Sequence, residues 1–471
     1  MTNATYPWSA AFRSLDQEFS CRVTDVEGTV PPGLRGTLLH NGPGRNALAG
    51  QWFAHWFDGD GMLTAWRFAD DGIHFRNRYV QTEAYRAETK AQRILTRGFG
   101  KMRPGGILAN AFRMPANVAN TSLVLEDDRI LALWEGGSAY ALDADTLDTR
   151  GPEDFGGRVK AFSAHPKRDP DTGELWNFGV DYGMRCTITP YRLARGTLTA
   201  LPRIVLPYAV MNHDFVLTRN HLVFCVGPVV SDSLGFVLGA RSLDASLRWE
   251  GGKPTLIVVV PRDGGPARTF ETEPFFQFHF ANGYEEDGTI HLDIARYPDF
   301  NTIGHALRTY WHAEFPAAGQ GCMTRLSLDL STGKVTTRAW DVDGHINEFP
   351  FVHPARVSKR HRYAWFLRNP PGRLQGLPQQ VARLDCETGA IVGHDFGPDG
   401  WPGEPCFVPM GEDEDDGIVL AIVLDVRLQR TRLVGLDGRD PAGRPLFTAS
   451  LDRAVPLQLH GLFTRRQVGA A

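Results

Sequence analysis

Four of the fifteen histidines stand in company that suits a metal ligand: Ser163-Ala164-His165-Pro166, Met211-Asn212-His213-Asp214-Phe215, Phe276-Gln277-Phe278-His279-Phe280 and Leu457-Gln458-Leu459-His460-Gly461. Each imidazole lies beside apolar or small residues and is bordered by a turn residue. Neutral imidazole binds first-row transition metals, iron among them. Taken singly, each of the four reads more readily as a hydrogen-bonded core histidine than as a ligand. A competing arrangement, His291-Leu292-Asp293, could open a two-histidine, one-carboxylate iron site. Its flanks (TIHLDIARY) alternate as a strand, however, which would leave both residues on the solvent face. Other chemistries lack their motifs. Neither Gly100-Lys101 nor Gly333-Lys334 completes a phosphate-binding loop, and Gly42-Pro43-Gly44 lacks the third glycine of a dinucleotide fingerprint. There is no Gly-x-Ser-x-Gly and no His-Glu-x-x-His.

The elements that must position these histidines read as strand after strand. Runs such as HLVFCVGPVV, PTLIVVVPRD and GIVLAIVLDV are short, rich in β-branched residues and closed by Asp, Gly or Pro. Glycine (50) and proline (31) make up about 17% of the 471 residues against roughly 12% on average, so turns are frequent and long helices scarce. Helix is expected only at 83–95, 232–246 and 303–312. Leu142-Asp143-x-x-Thr146, Leu328-Asp329-x-x-Thr332-Gly333 and Leu384-Asp385-x-x-Thr388-Gly389 form a weak repeat, with a degenerate copy at Leu436-Asp437. Their starts differ by 186, 56 and 52 residues, and 186 is three steps of 62. A unit of this size is one propeller blade of four strands; the alternative is that LD-x-x-TG is merely a common hairpin turn. The histidines are 48, 66 and 181 residues apart, close to one, one and three such units. Inner strands of different blades could therefore bring them to one axis.

Composition narrows the partners. The net charge of −4 with no basic block argues against nucleic acid. No apolar run approaches the ~18–20 residues of a membrane span, and MTNATYPWSAAFRSLDQEF has no basic start followed by an apolar run, so no secretion signal is expected. Six scattered cysteines without Cys-x-x-Cys read as reduced thiols of a cytoplasmic protein. The acidic EDEDD at 412–416 reads as a solvated hairpin loop.

The order of a longer set of motifs is similar to that of the carotenoid cleavage oxygenases. The set is Asn41-Gly42-Pro43, His55-Trp56-Phe57-Asp58-Gly59-Asp60-Gly61-Met62, Ala119-Asn120-Thr121, Leu133-Trp134-Glu135-Gly136-Gly137, the histidine motifs above, Asn347-Glu348-Phe349-Pro350 and Glu404-Pro405-x-Phe407-Val408, ending at His460-Gly461. The resemblance runs from residue 41 to 461 and so covers essentially the whole chain. It implies an all-β chain, with 1–471 a single domain: a seven-bladed β-propeller with non-haem Fe(II) on its axis, one per chain, capped by loops and a few short helices enclosing a substrate tunnel. It also implies that His165, His213, His279 and His460 bind the metal and that Glu135, Glu348 and Glu404 orient them. An imidazole bound to a metal normally donates its other N–H to a carboxylate or carbonyl, so the three glutamates make physical sense. Thr121 matches a threonine whose methyl limits access near an open iron position. Trp134 and Phe278 match positions that line the substrate cleft, with core packing as the competing reading. The HWFDGDGM block reads as support for the fold.

The implied activity is cleavage of a conjugated C=C bond with dioxygen to give two carbonyl products, without nicotinamide or flavin. Members that cleave stilbene-like phenols grip the hydroxyl with a lysine just before the first glutamate and a tyrosine near position 102; here Trp134 and Met102 stand in those places. These departures favour an apolar polyene, a carotenoid or apocarotenoid, over a stilbenoid or phenylpropenoid, although Lys101 lies beside the second position. Isomerisation or ester chemistry, and a non-enzymatic binding propeller, are the remaining alternatives. An enzyme that draws a polyene from lipid needs an exposed apolar surface. Ser233-Leu234-Gly235-Phe236-Val237-Leu238-Gly239 is the candidate for transient membrane contact, against a buried loop or strand.

Overall fold

The computed structural model describes residues 7–183, 185–300, 304, 308, 321–341, 346–373 and 377–470. Seven antiparallel sheets follow one another around an axis as the blades of a propeller. The second blade shows the pattern: Ser122–Glu126, Arg129–Leu133, Ala139–Asp143 and Thr149–Glu153 run from axis to rim as a meander. The inner strands of the third to seventh blades are Lys167–Arg168, Val216–Leu217, Phe280–Glu286, Asn347–Phe351 and Cys406–Pro409. The first blade is closed differently. Its inner strand is His460–Thr464 from the far end of the chain, paired with Gly36–Arg45 from Asn41↔His460 to Thr37↔Thr464. In the adjoining seventh blade, Asp25–Gly28 from the early part of the chain adds an outer strand beside Phe447–Ser450.

The apolar core is a set of wedges, one between each pair of neighbouring blades. Leu39, Leu63, Ile130 and Leu142 fill the first–second junction, Phe178, Phe215, Phe224 and Val258 the third–fourth, and Trp365, Phe407, Val419 and Val434 the sixth–seventh. A middle strand must therefore be apolar on both faces, which explains continuous runs such as that of Gly417–Asp425. Towards the rim the pattern reverts to alternation, as in Gly72–Tyr79.

The LD-x-x-T repeat is blade-periodic. Asp143, Asp329, Asp385 and Asp437 each end the third strand of a blade. In the first three, the carboxylate accepts backbone N–H groups two and three residues on, at 2.8–3.2 Å. Gly333 and Gly389 close two of these turns at φ +73° and +81°. In the second blade Leu147 takes the same left-handed place at φ +65°, and its complete burial holds it there. EDEDD is less solvated than expected: Glu414 accepts the N–H groups of Arg362 and Tyr363, and Asp415 pairs with Arg383.

Helices are few and short. Glu83–Ala91 starts at its cap Thr82 and stops at Gln92 (φ +49°), short of the expected 95. The expected helix at 232–246 is two, Ser233–Val237 and Leu243–Ser246, interrupted at Gly239 (φ +75°). The expectation at 303–312 falls almost entirely outside the described residues. No helix among the described residues is long and apolar enough to cross a membrane.

Candidate metal centre

The four histidines meet. His165 and His213 lie two and three residues before the inner strands of the third and fourth blades, His279 immediately precedes that of the fifth, and His460 opens that of the first. All four are buried, and their nearest ring nitrogens lie within 4.8 Å of one another. His165 Nε2 is 2.7 Å from His213 Nε2, which is 3.2 Å from His279 Nε2. The glutamates come from the three remaining blades. His279 Nδ1 donates to Glu348 Oε2 at 2.6 Å and His460 Nδ1 to Glu404 Oε1 at 2.9 Å, while His213 Nδ1 meets Glu135 Oε1. Each blade thus contributes one residue to the axis.

This pairing fixes tautomers. With Nδ1–H given to a carboxylate, Nε2 of a neutral ring carries a bare lone pair. Burial, reinforced by the neighbouring imidazoles, holds His165 and His279 well below the ordinary histidine range, so both are neutral. Burial also pushes His213 down, but the carboxylates around it, Glu135 foremost with Asp214 and Glu348, together more than offset it and leave the group raised. Burial pushes Glu348 up to about 7. Lone pairs facing one another at about 3 Å repel in a dry site. Ligands about 2.1 Å from a first-row divalent cation and at right angles are also about 3 Å apart, so this donor set fits a metal ion.

Local sequence explains several placements. Gly461 is forced because His40, its cross-strand partner, lays its ring where a Cβ would stand, 2.2–2.4 Å away. Glu404 holds His460 and also accepts Gly461 N–H at 2.7 Å, which secures the inner strand. Trp134 is half-buried and folds its indole over the Gly136-Gly137 turn, where a Cβ on Gly136 would lie 2.6 Å from the ring. Phe278 is buried, edge-on to His213 at 5.1 Å and to Phe276 at 4.8 Å, so it packs in an aromatic cluster and touches a candidate ligand at once. Thr121 is buried with its hydroxyl donated to Asn120 Oδ1, which leaves the methyl as its free end.

Two expectations are corrected. Asp293 does not share a solvent face with His291: it is 1% exposed, held by Arg325 at 2.6–2.7 Å and by His361 at 2.9 Å. Phe236 does not face solvent either, being 6% exposed beneath the Arg97 guanidinium. One residue that sequence reasoning missed is Phe349. Its ring stacks on His279 and meets His460 edge-on, both at 5.2 Å, from a left-handed conformation (φ +53°) where the inner strand bulges after Glu348. Its place between a glutamate and a proline was the only signal.

Comparison with known proteins shows the family and the fold. A family profile described as "Retinal pigment epithelial membrane protein" matches residues 12–465. The chain is 34% identical to an apocarotenoid-15,15'-oxygenase of Synechocystis sp., over 96% of this chain and 95% of that one. It is 31% identical to lignostilbene-alpha,beta-dioxygenase isozyme III of Sphingomonas paucimobilis, over 96% of each. The solved structure of cobalt-substituted Synechocystis apocarotenoid oxygenase superposes with a TM-score of 0.91 at 33% identity, covering 97% of this chain and 98% of that one.

Proposed function

Because the chain belongs to the retinal pigment epithelial membrane protein family, the family of the carotenoid cleavage oxygenases, we propose that this oxygenase is an Fe(II)-dependent dioxygenase that cleaves a conjugated C=C bond of a carotenoid or apocarotenoid into two carbonyl products. The observation that carries the reading is the convergence of four Nε2 atoms from four blades, three of them set by carboxylates on Nδ1. His165, His213, His279 and His460 would hold one iron per chain. Bound there, Fe(II) would supply binding and activation of dioxygen at the positions four ligands leave open. Glu135, Glu348 and Glu404 fix the ring tautomers and partly offset the metal's charge. Phe349 and Phe278 keep water from two sides of the imidazoles.

The side chains around the site favour a polyene over a phenol. Trp134 and Met102 stand where phenol-cleaving members carry their polar grip. Lys101, the nearby cation that could replace it, is buried and occupied: its Nζ lies 3.1–3.3 Å from both Glu88 oxygens and over the Phe53 ring. An apolar surface also suits a substrate taken from lipid. Gly106–Asn110 and Ser233–Val237 lie together, with Phe112 N–H donated to Val237 O at 2.7 Å. With the residues that follow them, they expose Leu108 (92%), Phe112 (80%) and Leu234 (69%) beside Ile107, Met114 and Leu238. Scattered exposed apolar residues are ordinary, but a cluster on and beside two adjoining helices supports a contact with lipid.

The test is iron analysis and product identification by mass spectrometry with an apocarotenal in micelles and a water-soluble phenolic stilbene. About one iron per chain and two carbonyl fragments of the polyene are expected, and His→Ala at any of the four positions should remove most of both. Faster cleavage of the stilbene would move the substrate class to phenylpropenoids, and zinc in place of iron would sink the reading. For the surface, a Leu108→Asp, Phe112→Asp, Leu234→Asp protein should fail to sediment with phospholipid vesicles that retain wild type. Equal sedimentation would remove the membrane contact and leave the metal site standing.

A further inference from the structure

Three of the four imidazoles lean on a carboxylate through Nδ1; among the described residues, none reaches the ring of His165. Its segment is tied down in another way. Asp214, next to His213, is 1% exposed and faces three groups. Its Oδ1 accepts the N–H of Phe215 at 2.7 Å and lies 2.9 Å from Lys167 Nζ, and its Oδ2 accepts the N–H of Phe280 at 3.1 Å. Lys167 follows His165 by two residues and Phe280 follows His279 by one. One buried carboxylate therefore joins the bases of three consecutive histidine-bearing strands, in the third, fourth and fifth blades.

We infer that Asp214 is a positioning residue that sets the spacing of His165, His213 and His279, with Lys167 carrying its hold to the one histidine that has no glutamate. The inference rests on the reading of the four histidines as the iron site. Its physical basis is reach: Lys167 lies two residues from His165, Asp214 one from His213 and Phe280 one from His279, so slack at these tied positions becomes displacement at Nε2. A carboxylate with two backbone N–H groups and an ammonium around it makes charge-assisted bonds of defined direction. A charge pair that served only to join blades would affect stability alike, but it would leave the ligand geometry of the folded protein unchanged.

The experiment uses the full-length chain, stripped of metal and reloaded with Co(II) under chelator competition, with the visible d–d spectrum as the report on ligand geometry. Asp214→Asn keeps the shape and one acceptor oxygen but loses the ion pair and puts an N–H₂ against a backbone donor. It should retain the far-UV circular dichroism of wild type, lose about 10–100-fold in Co(II) affinity and show shifted d–d bands. Lys167→Met frees only the His165 segment and should lose less affinity, with its spectrum moving towards that of His165→Ala. A folded Asp214→Asn protein with wild-type affinity and spectrum overturns the inference. A Lys167→Met protein indistinguishable from wild type overturns the three-way tie, whether or not Asp214→Asn folds. Failure of the underlying reading looks different: wild type would show no Co(II) bands, or His279→Ala would leave them unchanged.

Discussion

At Glu348 the burial that keeps water from the imidazoles works against the carboxylate's own charge, pushing it up to about 7 in the absence of a cation. A divalent ion beyond the ring would favour the ionised form, so the glutamate and the metal support each other through the imidazole. Replacing each of Glu135, Glu348 and Glu404 with Gln should therefore lower metal retention by about 10–100-fold. An ordinary surface glutamate would change stability by only about 0.5 kcal/mol. Iron per chain after dialysis against a chelator measures this, and unchanged content in all three variants would remove them from the site. Controls need histidines that are neither at the axis nor fully buried. His361 is unsuitable because its side chain is wholly buried against Asp293, whereas the half-buried His74, far from the axis on an outer strand, pairs with the exposed Asp71.

The turn built from HWFDGDGM illustrates how short elements support the centre without touching it. Trp56–Asp58 is a single 3-10 turn capped by His55 Nδ1, which accepts Phe57 N–H at 3.1 Å. Asn120, next to Thr121, donates to the carbonyls of Phe57 and Gly59, and Asp58 accepts Gly100 N–H at 3.1 Å. Gly98 has no alternative there, since a Cβ would fall 2.1 Å from Asp58 Oδ1. Burial pushes Asp58 up to about 7, against the lowering by Lys101 and the backbone N–H groups. For an acid raised in the folded state, the unfolded chain gives up its proton first. The contribution of Asp58 is thus fully present below about pH 4, is lost as the pH rises to about 7, and changes no further above that. Asp58→Asn keeps the acceptor and removes the titration. Denaturant unfolding from pH 4 to 8 should show wild type losing stability relative to Asp58→Asn up to about pH 7. Parallel curves would mean that Asp58 does not titrate in this range.

Over the whole molecule, the ring closes through its chain ends, and the closing strand carries a candidate ligand. His460–Thr464 forms the inner strand of the first blade, so one five-residue element contributes a candidate metal ligand and the last seam of the propeller. Ending the chain at Leu459 should do two things at once. The iron should be lost, and the paired edge of Gly36–Arg45 should be exposed as an unpartnered strand, which invites association between chains. His460→Ala in the full chain should lose the metal alone. Size-exclusion profiles and thermal unfolding of the two proteins separate these effects; identical behaviour would mean that the seam is not closed by this strand.

The amino-acid sequence alone determined what local rules govern: β-rich segments, the Asp-led turns that end the third strands, and four histidines at blade-like intervals. A turn is decided by four or five neighbouring residues, so Asp329 and Gly333 are legible where they stand. The choice of one axis for His165, His213, His279 and His460 was carried by resemblance and not by spacing, because convergence depends on the ring closing. Tertiary structure alone decided the rest. It turned Phe236 inward beneath Arg97, whose guanidinium hydrogen-bonds to carbonyls on both sides of it. It placed Asp293 in an ion pair with a strand neighbour, Arg325, where alternation alone pointed to water. It set Phe349 against two imidazoles through a bulge that no pattern marks, and it gave Asp214 partners 47 and 66 residues away in two other blades. Partners so far apart in sequence leave no local trace, because what selects them is the distance between blades once the ring has formed.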